Sequence, residues 1–519
     1  MNRDRLLILL ISSLLFLPFL GAVHLFDWDE INFAESAREM LLTGNWWQVT
    51  INFEPFREKP PLFFWMQALS MSIFGVGEFA ARLPNALCGI LTLQVIYSIG
   101  SKWQNRTFGW IWALLYIGSF LPFLYFKSGI IDPWFNLFIF LSIYHLFLAV
   151  EHKPEGELKQ SILAGAFSGL SILTKGPVGF LLLLLTFLVY WLFARFKKPA
   201  KASSIIAFTG TTFTVSAIWF GHEWLQNGPW FIVEFIEYQI DLFLHPVAGH
   251  KQPFFYHFLV VLIGCWPMSI IALSAFTRKF IGDEHHLSVW MKYLFWVVLI
   301  LFSIVTTKIV HYSSMTYLPL SYLAALIVHR HLNVVSIKTW QFVWIRTQGI
   351  VLAMIITILP LLLINKSAWV HLINDPFAAA NLTADVNWIG WEWLPGIIFL
   401  VTIVISWRIM NSKPMSSFIA LTLGTAFSIV LIMVSIVPKI EGYSQRAAIQ
   451  FFEEHQRAKL ETYKYKSYAH YFYGRVKPNH AGEEHFLVCK IQHKEKLFIE
   501  YPHAQHLYDS GGFCFFQLE

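Results

Sequence analysis

Thirteen apolar runs constrain this chain more than any other feature. They fall near residues 6–26, 79–100, 107–125, 130–150, 161–174, 177–194, 203–221, 254–276, 289–307, 313–329, 347–365, 393–410 and 417–438. Most approach the length of about 20 apolar residues that crosses a bilayer as a helix. Lipid offers the backbone no hydrogen-bonding partner, so such runs must satisfy their own N–H and C=O groups as helices. The pair 161–174 and 177–194 is short on both sides, and Gly176-Pro177 divides it. Residues 6–26 lack an A-x-A cleavage pattern and many further runs follow, so the first run reads as a retained span. Composition agrees. Only 13% of the 519 residues are charged, against about 25% in soluble domains. The 49 Phe and 22 Trp suit wide aromatic belts at the two membrane surfaces. A net charge of +6 spread over many loops forms no dense basic patch, which argues against a nucleic-acid partner.

Arg3 and Arg5 keep the N-terminus inside, and alternate loops are then basic, with Arg195, Lys197, Lys198 and Lys201 as the densest group. An odd number of spans places residues 439–519 outside. Few basic residues are expected in outer loops. Yet Lys59, Lys127, Lys175, Lys251 and Lys308 each stand there, close to a span end. Snorkelling explains a single lysine of this kind better than it explains all five. The expected organisation is a polytopic α-helical unit over 1–438, with its first outer loop at 27–79. A small α/β domain follows over 439–519, where HFLVCKI and KLFIEYP alternate as strands. Cys489 and Cys514 lie in that tail and can pair if it is extracytoplasmic.

The first outer loop concentrates chemistry. Asp27, Asp29 and Glu30 cluster where the chain leaves the first run. Asn32 to Leu42 reads as an amphipathic helix with Glu35, Arg38 and Glu39 on its polar side, and Gly44 closes it. Glu58-Lys59-Pro60-Pro61 then fixes a carboxylate and an ammonium at a helix start. Asp29 or Glu30 can accept a proton or bind a cation; a solvated acidic cap is the bland alternative. Glu58 offers oxygen to a cation and Lys59 a positive charge to a phosphate; the bland alternative is a structural ion pair. Asp132, at the lip of an apolar run, is costly there unless it is paired or faces water. His250 is the better metal candidate of the two histidines in the loop before 254. Lys308, Tyr312 and Tyr317 frame a turn suited to a lipid phosphate, or simply to an interfacial belt.

The early Asp-Glu, AESAREML-x-TG-x-W, EKPPL-x-FW, FG-x-x-EFAARLPNAL, LTKGP and H-x-QPF-x-Y together resemble one family. It comprises the bacterial lipid A aminoarabinose transferases and their protein-mannosyltransferase-like relatives, which are GT-C glycosyltransferases using polyprenyl-phosphate sugars. The resemblance covers about 27–180, 239–256 and 306–320. It implies 13 transmembrane helices, juxtamembrane helices in the first outer loop and a periplasmic C-terminal domain. It also implies an inner-membrane, monomeric enzyme that takes a sugar from undecaprenyl phosphate at the periplasmic face. The acceptor would be lipid A or another lipid, glycan or protein. By motif, Asp29 takes the essential acidic position, with Glu30 beside it. Glu58 and His250 take metal-contacting positions for Zn, Mg or Mn, and Lys59 takes the carrier-phosphate position. Asp132 and Lys308 match weaker motifs. Where the aminoarabinose transferases often carry Tyr two residues before the Glu, this chain has Phe56, which leaves Tyr312 or Tyr317 to supply a phenol. A transporter or flippase is the alternative class, because buried charge also lines transport paths.

Overall fold

The computed structural model describes residues 3–151, 156–196, 201–244, 252–277, 286–333, 338–456, 458–478 and 484–518. Every apolar run holds helical residues. Among the described residues, six helices combine the length and apolarity of a span, or seven if the pair Tyr256–Gly264 and Met268–Phe276, bent by 111°, counts as one. Only 17% of the apolar stretch of Ala202–Asn227 and 22% of that of Thr339–Ile364 is buried. Helices apolar all round and this exposed require an apolar solvent.

Several runs are interrupted, each for a local reason. The first helix, Arg3–Phe16, stops well short of residue 26. Pro18 cannot continue it, and Lys127 Nζ caps it by donating to the carbonyls of Leu15 (3.3 Å), Phe16 (3.3 Å) and Pro18 (2.6 Å). Lys127 is therefore a helix-end residue and takes no part in the site. The run 107–125 breaks at Gly118-Ser119 into Arg106–Ile117 and Phe120–Tyr125. A Cβ on Gly118 would stand 2.7 Å from Thr422 Cα, so only glycine lets the helix Pro414–Ser435 pass so close.

The first outer segment folds as the helix Asp29–Thr43, ended by Gly44 at φ 69°. The hairpin β1 (Thr50–Ile51) and β2 (Glu54–Pro55) follows, and then the helix Leu62–Phe74 begins directly after Pro60-Pro61. The expected amphipathicity of Asn32–Leu42 is corrected here: Glu35, Arg38 and Glu39 are all buried. Arg38 holds Glu35 through two bonds (2.7 and 2.6 Å) and donates to the Val476 carbonyl at 2.8 Å. Glu39 accepts from Thr50 Oγ1 (2.6 Å) and Phe53 N (3.0 Å). The polar side of the helix faces protein because the C-terminal residues and the hairpin at 50–55 cover it.

Those residues form β3 (Lys459–Tyr463), β4 (His485–Lys490), β5 (Gln505–Ser510) and β6 (Phe513–Leu518) in the order β3-β4-β6-β5. β3 and β4 run parallel, and the other pairs run antiparallel. One side of this sheet and the helices Arg446–Glu454 and Ala469–Tyr473 share a core with the first outer segment. Phe33, Phe63 and Phe64 cluster there with Ile449, Phe452, Phe472 and Phe515. The other side buries Cys489 and Cys514, register partners on β4 and β6.

Candidate active site

The segment leaving the first helix is held from two sides. Gln445 Nε2 donates to the Leu25 carbonyl (2.7 Å), the Tyr473 hydroxyl accepts from Leu25 N (2.7 Å), and Asp27 N donates to Gln445 Oε1 (3.3 Å). From the membrane side, Arg82 donates to the carbonyls of Leu20 (2.8 Å), Val23 (2.7 Å) and His24 (3.0 Å) and pairs with Glu30 (2.7 and 2.9 Å). Glu30 also accepts from the backbone N–H groups of Phe26 and Gly129. Both its oxygens are thus committed. Glu30, expected beside Asp29 as a catalytic acid, instead locks the turn that presents Asp29.

Asp29 opens the helix Asp29–Thr43 and reaches a cavity of about 600 Å³. Its carboxylate is 36% exposed and stands 3.5 Å from His311 Nε2. Glu58, Lys59, Asp132, Lys175, Tyr238 and Tyr312 line the same cavity. Lys175 Nζ meets Asp132 Oδ1 at 2.6 Å, and Ser314 adds a longer contact at 3.4 Å. Lys59 Nζ donates to the Glu58 carbonyl at 3.2 Å and lies 5.8 Å from the Tyr238 ring centroid. No carboxylate among the described residues lies within ion-pairing distance of Lys59, so its charge is available to a ligand. Burial holds its ammonium below the ordinary lysine range, against the pull of Glu58 and Asp29. Burial likewise lowers His311, with Asp132 and Asp29 opposing, and leaves the imidazole chiefly neutral at pH 7.

A second space, of about 580 Å³, opens between helices beside the first. It is apolar, walled by Phe180, Leu181, Leu184, Ile236, Ile240 and Leu301. Lys59, Lys175 and Tyr312 line both spaces and so mark their junction. Cations and a phenol at the head of an oily groove suit an anionic headgroup on a long hydrocarbon chain.

Two expected carrier-phosphate residues lie elsewhere. Lys308 Nζ donates to the Val305 carbonyl at 2.7 Å and lines neither space, since it closes the end of the helix Leu287–Ile304. Tyr317 is 1% exposed and packs on Tyr125, with ring centroids 5.6 Å apart. It starts the helix Tyr317–Asn333 facing the core, while Tyr312 in the preceding turn faces the cavity. The phenol absent at Phe56 has a second substitute in Tyr238, which faces the Glu58 carboxylate. Of the expected metal pair, Glu58 lines the cavity, and His250 lies outside the described residues. Among the described residues, no three His, Cys, Asp or Glu side chains gather to hold an ion.

This architecture is shared with a solved protein, ArnT. ArnT from Cupriavidus metallidurans, solved bound to undecaprenyl phosphate, matches 99% of this chain and 97% of its own, with a TM-score of 0.77 at 16% identity. Its apo structure matches equally, at 17% identity. Residues 58–226 match the family model described as dolichyl-phosphate-mannose-protein mannosyltransferase. The chain resembles, more particularly, a set of bacterial arabinosyl transferases. Undecaprenyl phosphate-alpha-4-amino-4-deoxy-L-arabinose arabinosyl transferase 1 of Proteus mirabilis is 28% identical over 57% of this chain and 54% of that protein. The corresponding transferase of Wigglesworthia glossinidia brevipalpis is 27% identical over 62% of this chain and 58% of that protein. The matched part thus spans little more than half of either relative.

Proposed function

We propose that this chain is an inner-membrane glycosyltransferase that moves a sugar from a polyprenyl-phosphate carrier, undecaprenyl phosphate, to an extracytoplasmic acceptor such as lipid A. The observation carrying this reading is the junction of the polar cavity with the apolar groove at Lys59, Lys175 and Tyr312. The polyprenyl chain would lie in the groove, with its phosphate at the two lysines and the sugar in the cavity beside Asp29. In the reaction, an acceptor oxygen forms a bond to the anomeric carbon as the bond from that carbon to the carrier phosphate oxygen breaks. The bonding electrons leave with the phosphate, whose growing charge Lys59 and Lys175 would stabilise. A hydroxyl acceptor would give its proton to Asp29, whereas an anionic phosphate acceptor has none to give and would need only positioning.

The full set of thirteen spans, a cavity opening to the periplasm and a periplasmic C-terminal α/β unit belong to this proposal. They rest on the alternation of basic loops and on the family resemblance. A divalent ion on Glu58 and His250 rests on the resemblance alone; it would supply further positive charge at the leaving phosphate.

Purified protein in vesicles supplied with an undecaprenyl-phosphate-linked sugar and lipid A tests the reading. Release of undecaprenyl phosphate with glycosylation of the acceptor supports it. Movement of the intact carrier-linked sugar across the vesicle, without transfer, would indicate the transporter class instead.

A further inference from the structure

The cavity has one cation that the carrier does not explain. Lys466 lines the polar cavity but not the apolar groove, unlike Lys59 and Lys175. It comes from the loop between β3 and the helix Ala469–Tyr473, more than 150 residues beyond any other lining residue. Its ammonium lies 5.1 Å from the Trp28 ring centroid and 5.5 Å from that of Tyr468. These two rings meet edge to face at 6.5 Å, and Tyr471 stacks on Tyr468 at 6.1 Å. Trp28 is an exposed aromatic residue at the cavity. Among the described residues no carboxylate pairs with Lys466.

The loop is also held in place. The half-buried Asp27 carboxylate sits against Ser467 and the backbone of Tyr468, one residue from Trp28. Lys466, Trp28 and Asp29 are therefore fixed to one another across the seam between the first outer segment and the C-terminal residues. An unpaired cation above aromatic faces recognises a sugar ring bearing an anionic group. The ring stacks on the aromatic surface, and the anion takes the ammonium.

We infer that Lys466, with Trp28 and Tyr468, forms the acceptor subsite, and that it takes a saccharide carrying a phosphate. This rests on the transfer reading above and gives the C-terminal residues a direct part in acceptor choice. The carrier phosphate has its own place at the groove junction, so the two anions would bind separately. Lys466 is exposed, so replacing it leaves the core intact.

The test uses the full-length protein with Lys466→Gln and Lys466→Arg, and two probes: soluble glucosamine 1-phosphate and a phosphorylated glucosamine lipid in micelles. Binding is read by tryptophan fluorescence, with inorganic phosphate and neutral glucosamine as controls. Lys466→Gln should weaken sugar-phosphate binding roughly tenfold, the effect of losing one charged hydrogen bond. Lys466→Arg should restore most of it, and undecaprenyl phosphate binding should be unchanged in both. An effect on both probes assigns the headgroup alone as sufficient; an effect on the lipid-borne probe only assigns a membrane acceptor. Inorganic phosphate binding as tightly as the sugar phosphate would overturn the saccharide subsite. So would unchanged binding of both sugar-phosphate probes in Lys466→Gln, or a matching loss of undecaprenyl phosphate binding. Because the soluble probe needs no donor, a wild-type protein that binds it but not the carrier would refute the transfer reading and leave this site standing.

Discussion

Lys175 Nζ stands 2.6 Å from Asp132 Oδ1, joining the end of the helix Glu157–Lys175 to the start of Asp132–Glu151 at the wall of the cavity. Both side chains are buried, so removing one partner strands the other's charge. Asp132→Ala should destabilise the detergent-solubilised protein by about 3 kcal/mol, measured by denaturant unfolding. The double variant with Lys175→Ala should lose less than the sum of the single variants, by about 0.5–3 kcal/mol. Strictly additive losses would mean that the contact carries no coupling.

Asp29→Asn keeps the side chain's shape and removes its charge. With a hydroxyl acceptor, turnover should fall about 10²–10⁴-fold while donor affinity holds, as loss of a general base requires. With a phosphate as the attacking group, the loss should appear chiefly in acceptor KM. Steady-state kinetics of the one variant with both substrates varied distinguishes these outcomes; wild-type kinetics would remove Asp29 from the site.

The Lys59 ammonium is held below the ordinary lysine range, first by burial. Phosphate binding requires the protonated form. Donor affinity should therefore fall as pH rises through the lowered pKa, earlier than an ordinary lysine would allow. A titration of undecaprenyl phosphate binding from pH 6 upward checks this. Lys59→Arg, which keeps its proton over the whole range, should lose that alkaline decline.

The helical framework was legible because apolar length and Gly-Pro interruptions are local signals. The division of 157–193 at Gly176-Pro177 and the helix start after Pro61 both follow from them. Asp29, Glu58, Lys59, Asp132 and Tyr312 were legible for a related reason, being polar groups at the ends of apolar segments. The cavity itself was not. His311, Tyr238 and Lys466 reach it from three distant segments, and no spacing in the sequence records that meeting. Lys175 was visible as a lysine out of place, but its partner was not. Glu30 and Glu35 looked like solvated or catalytic acids because the arginines that neutralise them, Arg82 and Arg38, carry no local signature of that duty. Only four residues separate Tyr312 from Tyr317, too few for a sequence pattern to tell which faces the cavity and which the core.

Cys489 and Cys514 sit opposite each other on β4 and β6, both fully buried. If the C-terminal residues face an oxidising compartment, as proposed, the two thiols should be oxidised to a disulfide by the compartment's thiol-disulfide exchange proteins. Protein purified without reductant, denatured and alkylated, should then give two modified cysteines, Cys88 and Cys265, and all four after reduction. Four modified cysteines without reduction would place the tail in a reducing compartment.

Binding of undecaprenyl phosphate to the purified wild type and to Lys59→Ala tests the central claim most directly, since that claim is the meeting of a carrier phosphate with the cations at the head of the groove. Specific binding by the wild type is expected, with a loss of roughly tenfold or more in the variant, the effect of losing about 1.5–3 kcal/mol of charged hydrogen bonding, and with the thermal unfolding of the variant unchanged. Equal affinity in the two proteins would contradict it.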